Sequence, residues 1–297
     1  MRNSIVLLSL FISILSFADA YPVIRQANPF IGSRYFVPND QSKHTSIVML
    51  HGSEGGSAPY IDAEANILAM QGHSVLVLCY FDCNRGLTGP RQTLKNIEAT
   101  IVLDAVGWLR HQPQSDGKVV VYGFSRGAEL AMIVGSLDFS KSNRPSALIA
   151  HSPSDVFNGP WNWSWREPAC WLCKAGVGKC SASTAHSDFQ WNPSCGPDDP
   201  NQIDQSKSAW LVLGVSVPIN HQIKIEKYDG PILITVGEED EVWPVDQTRR
   251  LEATLKKAGR TPEIHYFPNG SHGFKGEDEI TRREFVLEFL KHMPKAM

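Results

Sequence analysis

Short apolar runs alternate with longer amphipathic segments along most of this 297-residue chain. Short runs rich in Val, Ile and Leu favour buried strands, whereas apolar residues spaced three and four apart favour helices. The apolar runs predict strands near 46–50, 74–79, 118–124, 146–151, 231–236 and 262–267. The amphipathic segments predict helices near 59–71, 91–111, 126–137, 245–258 and 278–292. This alternation is typical of an α/β fold with a mostly parallel sheet and helices on both faces.

One predicted strand leads directly into a Gly-x-Ser-x-Gly pattern. The valines at 119–121 are followed by Gly123, Ser125 and Gly127, and a helical pattern begins at once. Glycines two residues before and after the serine leave room for the strained turn that presents a nucleophile. The same turn places Ser125 at a helix N-terminus, where the backbone N–H of Arg126 can hold a developing oxyanion. The pattern therefore predicts that Ser125 is a catalytic nucleophile.

A base and an orienting carboxylate follow later in the chain. Asp240 lies in an acidic loop after the fifth predicted strand, and His272 lies in a glycine-flanked loop after the sixth. The order Ser, acid, His suits this type of strand–turn–helix nucleophile. Each residue follows the carboxyl end of a strand, where open α/β sheets keep their sites. The sequence predicts a triad of Ser125, His272 and Asp240, with Asp155, beyond the fourth strand, as a second candidate for the acid.

A glycine-rich loop, His-Gly-Ser-Glu-Gly-Gly at residues 51–56, follows the first predicted strand. Glycines let the backbone approach a ligand closely, so the N–H of Ser53 or of Glu54 can complete an oxyanion hole with that of Arg126. The sequence leaves open which of the two donates. The glycine spacing matches neither a dinucleotide-binding pattern nor a phosphate loop. We interpret His51 as a structural residue of the loop.

Four motifs in chain order, HGSEGG, GFSRG, GEEDEVWP and NGSHGF, resemble those of α/β-hydrolases over nearly the whole mature chain. More narrowly, the chain resembles the bacterial branch of the acyl-CoA thioester hydrolase and bile acid-CoA:amino acid N-acyltransferase C-terminal family. That likeness rests on the glycine-rich loop, the His-Ser-Pro-Ser-Asp segment at 151–155 and the Glu-Asp-Glu-Val-Trp-Pro segment. The chain is also similar, less closely, to dienelactone hydrolases. The resemblance implies an α/β-hydrolase fold with Ser125, Asp240 and His272 as the triad, although several relatives carry Cys in place of the serine.

The first 20 residues have the pattern of a cleavable signal peptide. An Arg near the start is followed by an apolar run at 5–17 and by the small-residue cleavage site Ala18-Asp19-Ala20, in the order that such peptides use. The apolar run is too short for a membrane anchor. We therefore expect residues 21–297 to form one α/β-hydrolase domain that is periplasmic or secreted.

An insertion at about 153–224 separates the fourth and fifth predicted strands, and it is rich in cysteine and tryptophan. Hydrolases often carry a cap at this point. Its tryptophans are expected to form the core of the cap, because a small segment needs aromatic volume to hold together. The alternative is a substrate pocket that includes Trp161 and, on the acidic loop, Trp243.

The cysteines are expected to form disulfides. Oxidising surroundings favour two bridges within the insertion over a zinc site made of Cys170 and Cys173 with Cys180, Cys195 or His186. The pairing stays open among the four insertion cysteines Cys170, Cys173, Cys180 and Cys195. Cys79 and Cys83, which flank the end of a strand, are candidates for a third bridge, with a buried thiol at Cys79 as the alternative.

Composition and compartment narrow the chemistry. A formal net charge of −3 without a Lys/Arg run gives no basic surface for nucleic acid or an anionic membrane. A serine triad needs no metal or organic cofactor, so the expected partner is a small acyl ester. The resemblance implies thioesters, but coenzyme A is intracellular, and an exported enzyme is expected to cleave carboxylic esters with thioester cleavage as a latent ability. The alternatives are an acyltransferase with the same triad and a non-catalytic binding module.

Overall fold

A computed structural model of the chain describes residues 21–83, 94–137, 143–160, 171–173, 189–191 and 207–293. The strands are β1 (Val23–Gln26), β2 (Arg34–Pro38), β3 (His44–Leu50), β4 (Ser74–Leu78), β5 (Ile97–Glu98), β6 (Ser115–Phe124), β7 (Ala147–His151), β8 (Trp171–Cys173), β9 (Phe189–Trp191), β10 (Lys207–Val212), β11 (Val215–Pro218), β12 (Ile232–Gly237) and β13 (Glu263–Phe267). The helices are α1 (Pro59–Met70), α2 (Ile101–Arg110), α3 (Arg126–Ser136), α4 (Val245–Lys257) and α5 (Glu277–Lys291).

Eight strands form one central sheet in the order β1-β2-β4-β3-β6-β7-β12-β13. The six strands from β4 to β13 pair in parallel. The strands β1 and β2 add an antiparallel edge. All six predicted strands are present in this sheet, and β1 and β2 come in addition to them. The mostly parallel sheet expected from the sequence is confirmed.

Apolar side chains alternate between two cores, one on each face of the sheet. In β3, Val48 and Leu50 belong to one core, and Ile47 and Met49 belong to the other, because successive side chains of a strand point to opposite faces. The first core is covered by α2, α3 and α4, and the second by α1 and α5. Helices therefore cover both faces, as the sequence predicts, and the carboxyl ends of the parallel strands meet at one edge.

The helix predicted at 91–111 begins only at Ile101. Asn96 has a φ of 53°, a left-handed conformation that a helix cannot contain. The next two residues form β5, which pairs with β10. The Glu98 carboxylate accepts the N–H of Gly214 at 2.7 Å, in the turn that joins β10 to β11. The prediction was wrong here because pairing with a distant hairpin overrides local helix preference.

The described ends of the predicted insertion pack onto the main body. Ala209 and Trp210 of β10 are fully buried in the core that α2 and α3 cover. Val156 is also fully buried. The middle of the insertion, with Trp161 and the four cysteines, lies outside the described residues except for the backbone of β8 and β9. The predicted signal peptide lies outside them as well.

A buried ionic cluster joins the two helices on one face. Arg282 of α5 is fully buried, and its guanidinium lies 3.0 Å from Glu64 of α1 and 2.6 Å from Glu279. It also bonds the hydroxyl of Tyr122 on β6. A buried cation needs such partners, since an unpaired charge in the core is strongly destabilising. The cluster joins α1 and α5 to β6, the strand that leads to Ser125.

Candidate active site

Ser125 lies in a sharp turn between β6 and α3. Its backbone has φ 52° and ψ −117°, a conformation that costs an L-residue on the order of 1–3 kcal/mol. A methyl group at Gly127 would lie 2.6 Å from the carbonyl oxygen of His51, and one at Gly123 would overlap the carbonyl of Gly127. Both positions therefore exclude a side chain, and the turn has the geometry expected of a nucleophile elbow.

The structure brings Ser125, His272 and Asp240 into one line of hydrogen bonds. Ser125 Oγ lies 2.9 Å from His272 Nε2. His272 Nδ1 lies 3.0 and 2.9 Å from the two carboxylate oxygens of Asp240. A carboxylate can only accept, so Nδ1 carries the proton and Nε2 is left to accept from the serine hydroxyl. This is the arrangement that a serine nucleophile, its base and an orienting carboxylate require.

Asp240 and His272 shift each other's pKa in opposite directions. Burial lowers the pKa of His272, but the Asp240 carboxylate outweighs it, and the net pKa is raised from 6.5. Glu241 and Glu54 raise the pKa of His272 further. Burial raises the pKa of Asp240, but His272 and two backbone N–H groups of the acidic loop bring it below 3.8. Asp240 is therefore ionised and stabilises a proton on His272.

The predicted oxyanion donors lie on the same edge of the sheet as Ser125. Arg126 is the first residue of α3, where the helix itself offers no partner for the N–H. Ser53 and Glu54 lie in the loop after β3, which is the neighbour of β6 in the sheet. The Glu54 carboxylate turns back onto its own loop and accepts the N–H of Gly52 at 2.8 Å. This contact fixes the loop in a compact turn beside the elbow.

The segment closed by a disulfide between Cys79 and Cys83 packs against the glycine-rich loop. Cys79 and Cys83 form a bridge with their Cα atoms 5.8 Å apart, so the candidate third disulfide of the sequence is present and the buried thiol is not. Ser57 Oγ donates to the carbonyl of Cys83 at 2.5 Å. The N–H of Gly56 donates to the carbonyl of Phe81 at 3.2 Å. The loop therefore rests on a covalently closed turn.

His51 supports the loop from within. Its ring is fully buried, and its Nδ1 lies 2.9 Å from the carbonyl oxygen of Gly52. The ring stacks on Tyr80 with centroids 4.0 Å apart. Burial lowers the pKa of His51 to about 3. A ring with this pKa is uncharged at neutral pH. Its contacts lie within the loop, in keeping with a structural role for His51.

Asp155, the second candidate for the acid, is paired elsewhere. Its carboxylate is buried and lies 2.7 and 3.0 Å from the guanidinium of Arg250 on α4. This bidentate pair ties the segment after β7 to α4. The carboxylate that contacts His272 belongs to Asp240.

Two carboxylates near the site were not predicted from the sequence. Glu241 Oε2 accepts the backbone N–H of His272 at 3.0 Å. Glu129 is fully buried on α3 and lies 2.9 Å from the Arg126 guanidinium. It also accepts from the indole N–H of Trp210 at 2.6 Å. An acid within the otherwise apolar face of a helix was the available signal, because a carboxylate there needs a buried partner.

The remaining candidates divide between described and undescribed parts of the chain. Trp243 packs edge-on against His272 with ring centroids 5.8 Å apart, and it is 5% exposed. Trp161, His186 and three of the insertion cysteines lie outside the described residues, and of Cys173 only the backbone, in β8, is described. Within the described part of the chain, no group of three His, Cys, Asp or Glu side chains is placed to hold a metal ion. The same part contains no helix long and apolar enough to cross a membrane.

Sequence comparison connects the chain with two groups of enzymes. Residues 202–287 match the model of the dienelactone hydrolase family. Over 246 residues the chain is 26% identical to acyl-coenzyme A thioesterase 6 of Mus musculus, covering 80% of this chain and 50% of the mouse protein. The chain thus spans about half the length of that curated relative.

Solved structures with the same fold cover nearly all of the chain. A protein from Klebsiella pneumoniae assigned as a dienelactone hydrolase matches with a TM-score of 0.58 and 14% identity, over 92% of this chain and 99% of its own. A butyrate-bound esterase from Thermogutta terrifontis matches with a TM-score of 0.54 and 16% identity, over 93% and 95%. An acylaminoacyl peptidase from Pyrococcus horikoshii matches with a TM-score of 0.58 and 16% identity, over 93% of this chain and 42% of its own. Together these likenesses identify the chain as a protein of the α/β-hydrolase fold that resembles dienelactone hydrolases and an acyl-coenzyme A thioesterase.

Proposed function

We propose that this protein is an exported serine hydrolase that cleaves carboxylic esters through Ser125, His272 and Asp240. The observation that carries the proposal is the continuous hydrogen-bond line from Ser125 Oγ through the His272 ring to the Asp240 carboxylate. The strained backbone of Ser125 supports it, because strain at the start of a helix persists where function requires the geometry.

The first step forms an acyl-enzyme. His272 Nε2 takes the proton of the Ser125 hydroxyl as Oγ attacks the ester carbonyl carbon. The carbonyl oxygen gains negative charge, which the N–H of Arg126 and one N–H of the glycine-rich loop hold. His272 then gives its proton to the departing alkoxide, and the acyl group stays on Ser125. Asp240 stabilises the imidazolium throughout and keeps its own charge.

The second step releases the acid. Water replaces the alcohol, His272 takes a proton from the water as its oxygen attacks the acyl carbon, and the collapse of the intermediate returns that proton to Ser125 Oγ. The products are a carboxylic acid and a regenerated enzyme. No step in this scheme draws on an electron acceptor or donor.

The substrate class follows from the compartment and from the charges at the site. The predicted signal peptide and the bridge between Cys79 and Cys83 support an oxidising location, where acyl-coenzyme A is scarce. Two carboxylates beside His272, from Glu241 and Glu54, raise its pKa through their negative charge. That field disfavours a polyanionic leaving group such as coenzyme A and favours a neutral ester.

Thioester hydrolysis is the second candidate, since the mouse relative is an acyl-coenzyme A thioesterase. The same residues would attack a thioester carbonyl and release a thiol. Acyl transfer to an amine or alcohol would differ only in which nucleophile enters the second step. Competition between water and added amine or alcohol measures that partition.

A labelling experiment tests the proposal. A fluorophosphonate should label the wild-type protein at Ser125, and p-nitrophenyl esters of increasing acyl length should be hydrolysed faster than the matching acyl-coenzyme A. Ser125→Ala should abolish both labelling and turnover. Ser136→Ala is the matched control, because Ser136 lies at the far end of the same helix, where its hydroxyl donates to the carbonyl of Ile133. Labelling that persists in Ser125→Ala would overturn the assignment of the nucleophile.

A further inference from the structure

His151 lies next to both Ser125 and His272. It is the last residue of β7 and is 5% exposed. Its backbone carbonyl accepts the N–H of Ser125 at 2.9 Å. Its ring Nε2 lies 3.2 Å from the backbone carbonyl oxygen of His272. One residue therefore contacts the main chain of both the nucleophile and the base.

The hydrogen bonds fix which ring nitrogen of His151 carries the proton. A carbonyl oxygen can only accept, so Nε2 donates to His272. In the neutral ring Nδ1 is then an acceptor, and Thr235 Oγ1 lies 3.0 Å from it. Thr235 is directly opposite His151 in the pairing of β7 with β12 and is 1% exposed. The threonine hydroxyl thus donates to Nδ1 and holds the ring in the Nε2–H tautomer.

Packing holds the orientation of the same ring. Phe274 meets it edge-on with centroids 4.5 Å apart, and Phe124 does so at 5.9 Å. Burial lowers the pKa of His151 to about 4, and the charge of His272 lowers it in addition. Asp240 and Glu64 are the acidic groups that act against this. A neutral ring donates a hydrogen bond without placing a second positive charge beside the imidazolium that catalysis forms.

The loop that carries His272 needs this support. Glycines stand on both sides of it, at 270 and 273, and glycine leaves a chain more conformational freedom than any other residue. The N–H of His272 is held by Glu241, as described above. Its carbonyl is held by His151 and, at 3.3 Å, by the hydroxyl of Ser152.

We propose that His151 is a positioning residue, which holds the main chain of His272 so that its imidazole stays aligned with Ser125. This inference rests on the proposed function, because alignment matters only where His272 acts as the base. Misplacement of a catalytic group by about 1 Å costs on the order of 100-fold in rate. Loss of the ring donor is therefore expected to lower kcat and leave KM nearly unchanged.

The test compares two substitutions of different chemistry. His151→Leu removes the donor, and kcat per site titrated with fluorophosphonate should fall by about 10- to 100-fold with KM changed less than about 2-fold. His151→Gln places an amide N–H near the position of Nε2 and should recover most of that loss. His73→Leu is the matched control, since His73 directly precedes β4, at the amino ends of the parallel strands, whereas His151 lies at their carboxyl ends. Equal kcat per titrated site in wild type and His151→Leu would overturn the proposal.

A second measurement does not depend on activity. The ¹⁵N resonances of His151 in the whole protein should report a neutral ring with the proton on Nε2 between pH 5 and 8. A proton on Nδ1, or a charged ring, would overturn the proposal. Thr235→Val serves if His151→Leu fails to fold, because it removes only the hydroxyl that selects the tautomer and should lower kcat several-fold. Wild-type protein that neither labels nor hydrolyses esters would overturn the proposed function and leave the tautomer result standing.

Discussion

Replacement of Asp240 by Asn is expected to disable the enzyme through the tautomer of His272. Asp240 Oδ1 accepts the N–H groups of Val242 and Trp243 at 2.9 and 2.7 Å. Those two donors will orient the new amide so that its oxygen takes the Oδ1 position. The NH₂ group then takes the Oδ2 position, which lies 2.9 Å from His272 Nδ1.

An NH₂ group at that point donates where the carboxylate accepted. The amide oxygen stays 3.0 Å from His272 Nδ1, but an Nδ1 proton would now meet the amide hydrogens at the Oδ2 position. We therefore expect Nδ1 to become the acceptor and the proton to move to Nε2, which can then no longer take the proton of Ser125. Loss of the orienting carboxylate in such a triad costs about 10⁴-fold in kcat, equivalent to about 5 kcal/mol of transition-state stabilisation. We expect a loss of that order for Asp240→Asn, with the main chain of the loop unchanged.

The matched control is Asp155→Asn. The side chain of Asp155 is as buried as that of Asp240 but is bound to Arg250, so its replacement should lower the free energy of unfolding and change kcat per folded molecule by only a few-fold. The assay is hydrolysis of a short p-nitrophenyl ester, with urea unfolding measured on the same samples. A loss below about 10-fold in Asp240→Asn, or a larger loss in Asp155→Asn, would refute the tautomer argument.

Three further outcomes follow from the geometry. Because the pKa of His272 is raised from 6.5 and only the neutral ring accepts a proton, kcat/KM should fall as pH falls, with a midpoint above 6.5. A midpoint below 6.5 would show that Asp240 does not stabilise the charged ring. Gly127→Ala forces a methyl group onto the main chain of β3. It should lower the free energy of unfolding by about 1–3 kcal/mol and abolish phosphonate labelling. The control Gly107→Ala, whose added methyl group would lie 3.6 Å from its nearest neighbour, should do neither. Cys79→Ser combined with Cys83→Ser should lower the free energy of unfolding in urea by about 2 kcal/mol in the chain-entropy description of a short bridge; an unchanged urea midpoint would show that the bridge adds nothing.

Local pattern was sufficient for most of the central sheet. The parallel strands are buried on both faces, so each appears in the sequence as a short apolar run such as Val119–Val121. The edge strands carry no such signal, because three of the four residues of β1 are exposed and the strand exists through pairing with β2. The start of α2 was predicted too early for a similar reason. Glu98 bonds the turn after β10, which is distant in sequence, and local pattern does not show such a contact.

The three residues of the hydrogen-bond line could be named from the sequence because each follows the carboxyl end of a parallel strand. The supporting contacts could not be named, since they depend on which strands are neighbours. Glu241 was not predicted to take part in the site, although its carboxylate accepts the N–H of His272. Nothing in its local pattern separates it from Glu239, which follows the same strand.

Strand order places the segment after β7 close to the candidate site. β7 lies between β6, which leads to Ser125, and β12, which leads to Asp240, so the end of β7 lies between these two residues. The distance of a residue from the end of β7 then decides whether it reaches the site. His151 is at the strand end itself and bonds the main chain of His272. Asp155 lies four residues further along, and that distance carries its carboxylate to α4, where Arg250 holds it.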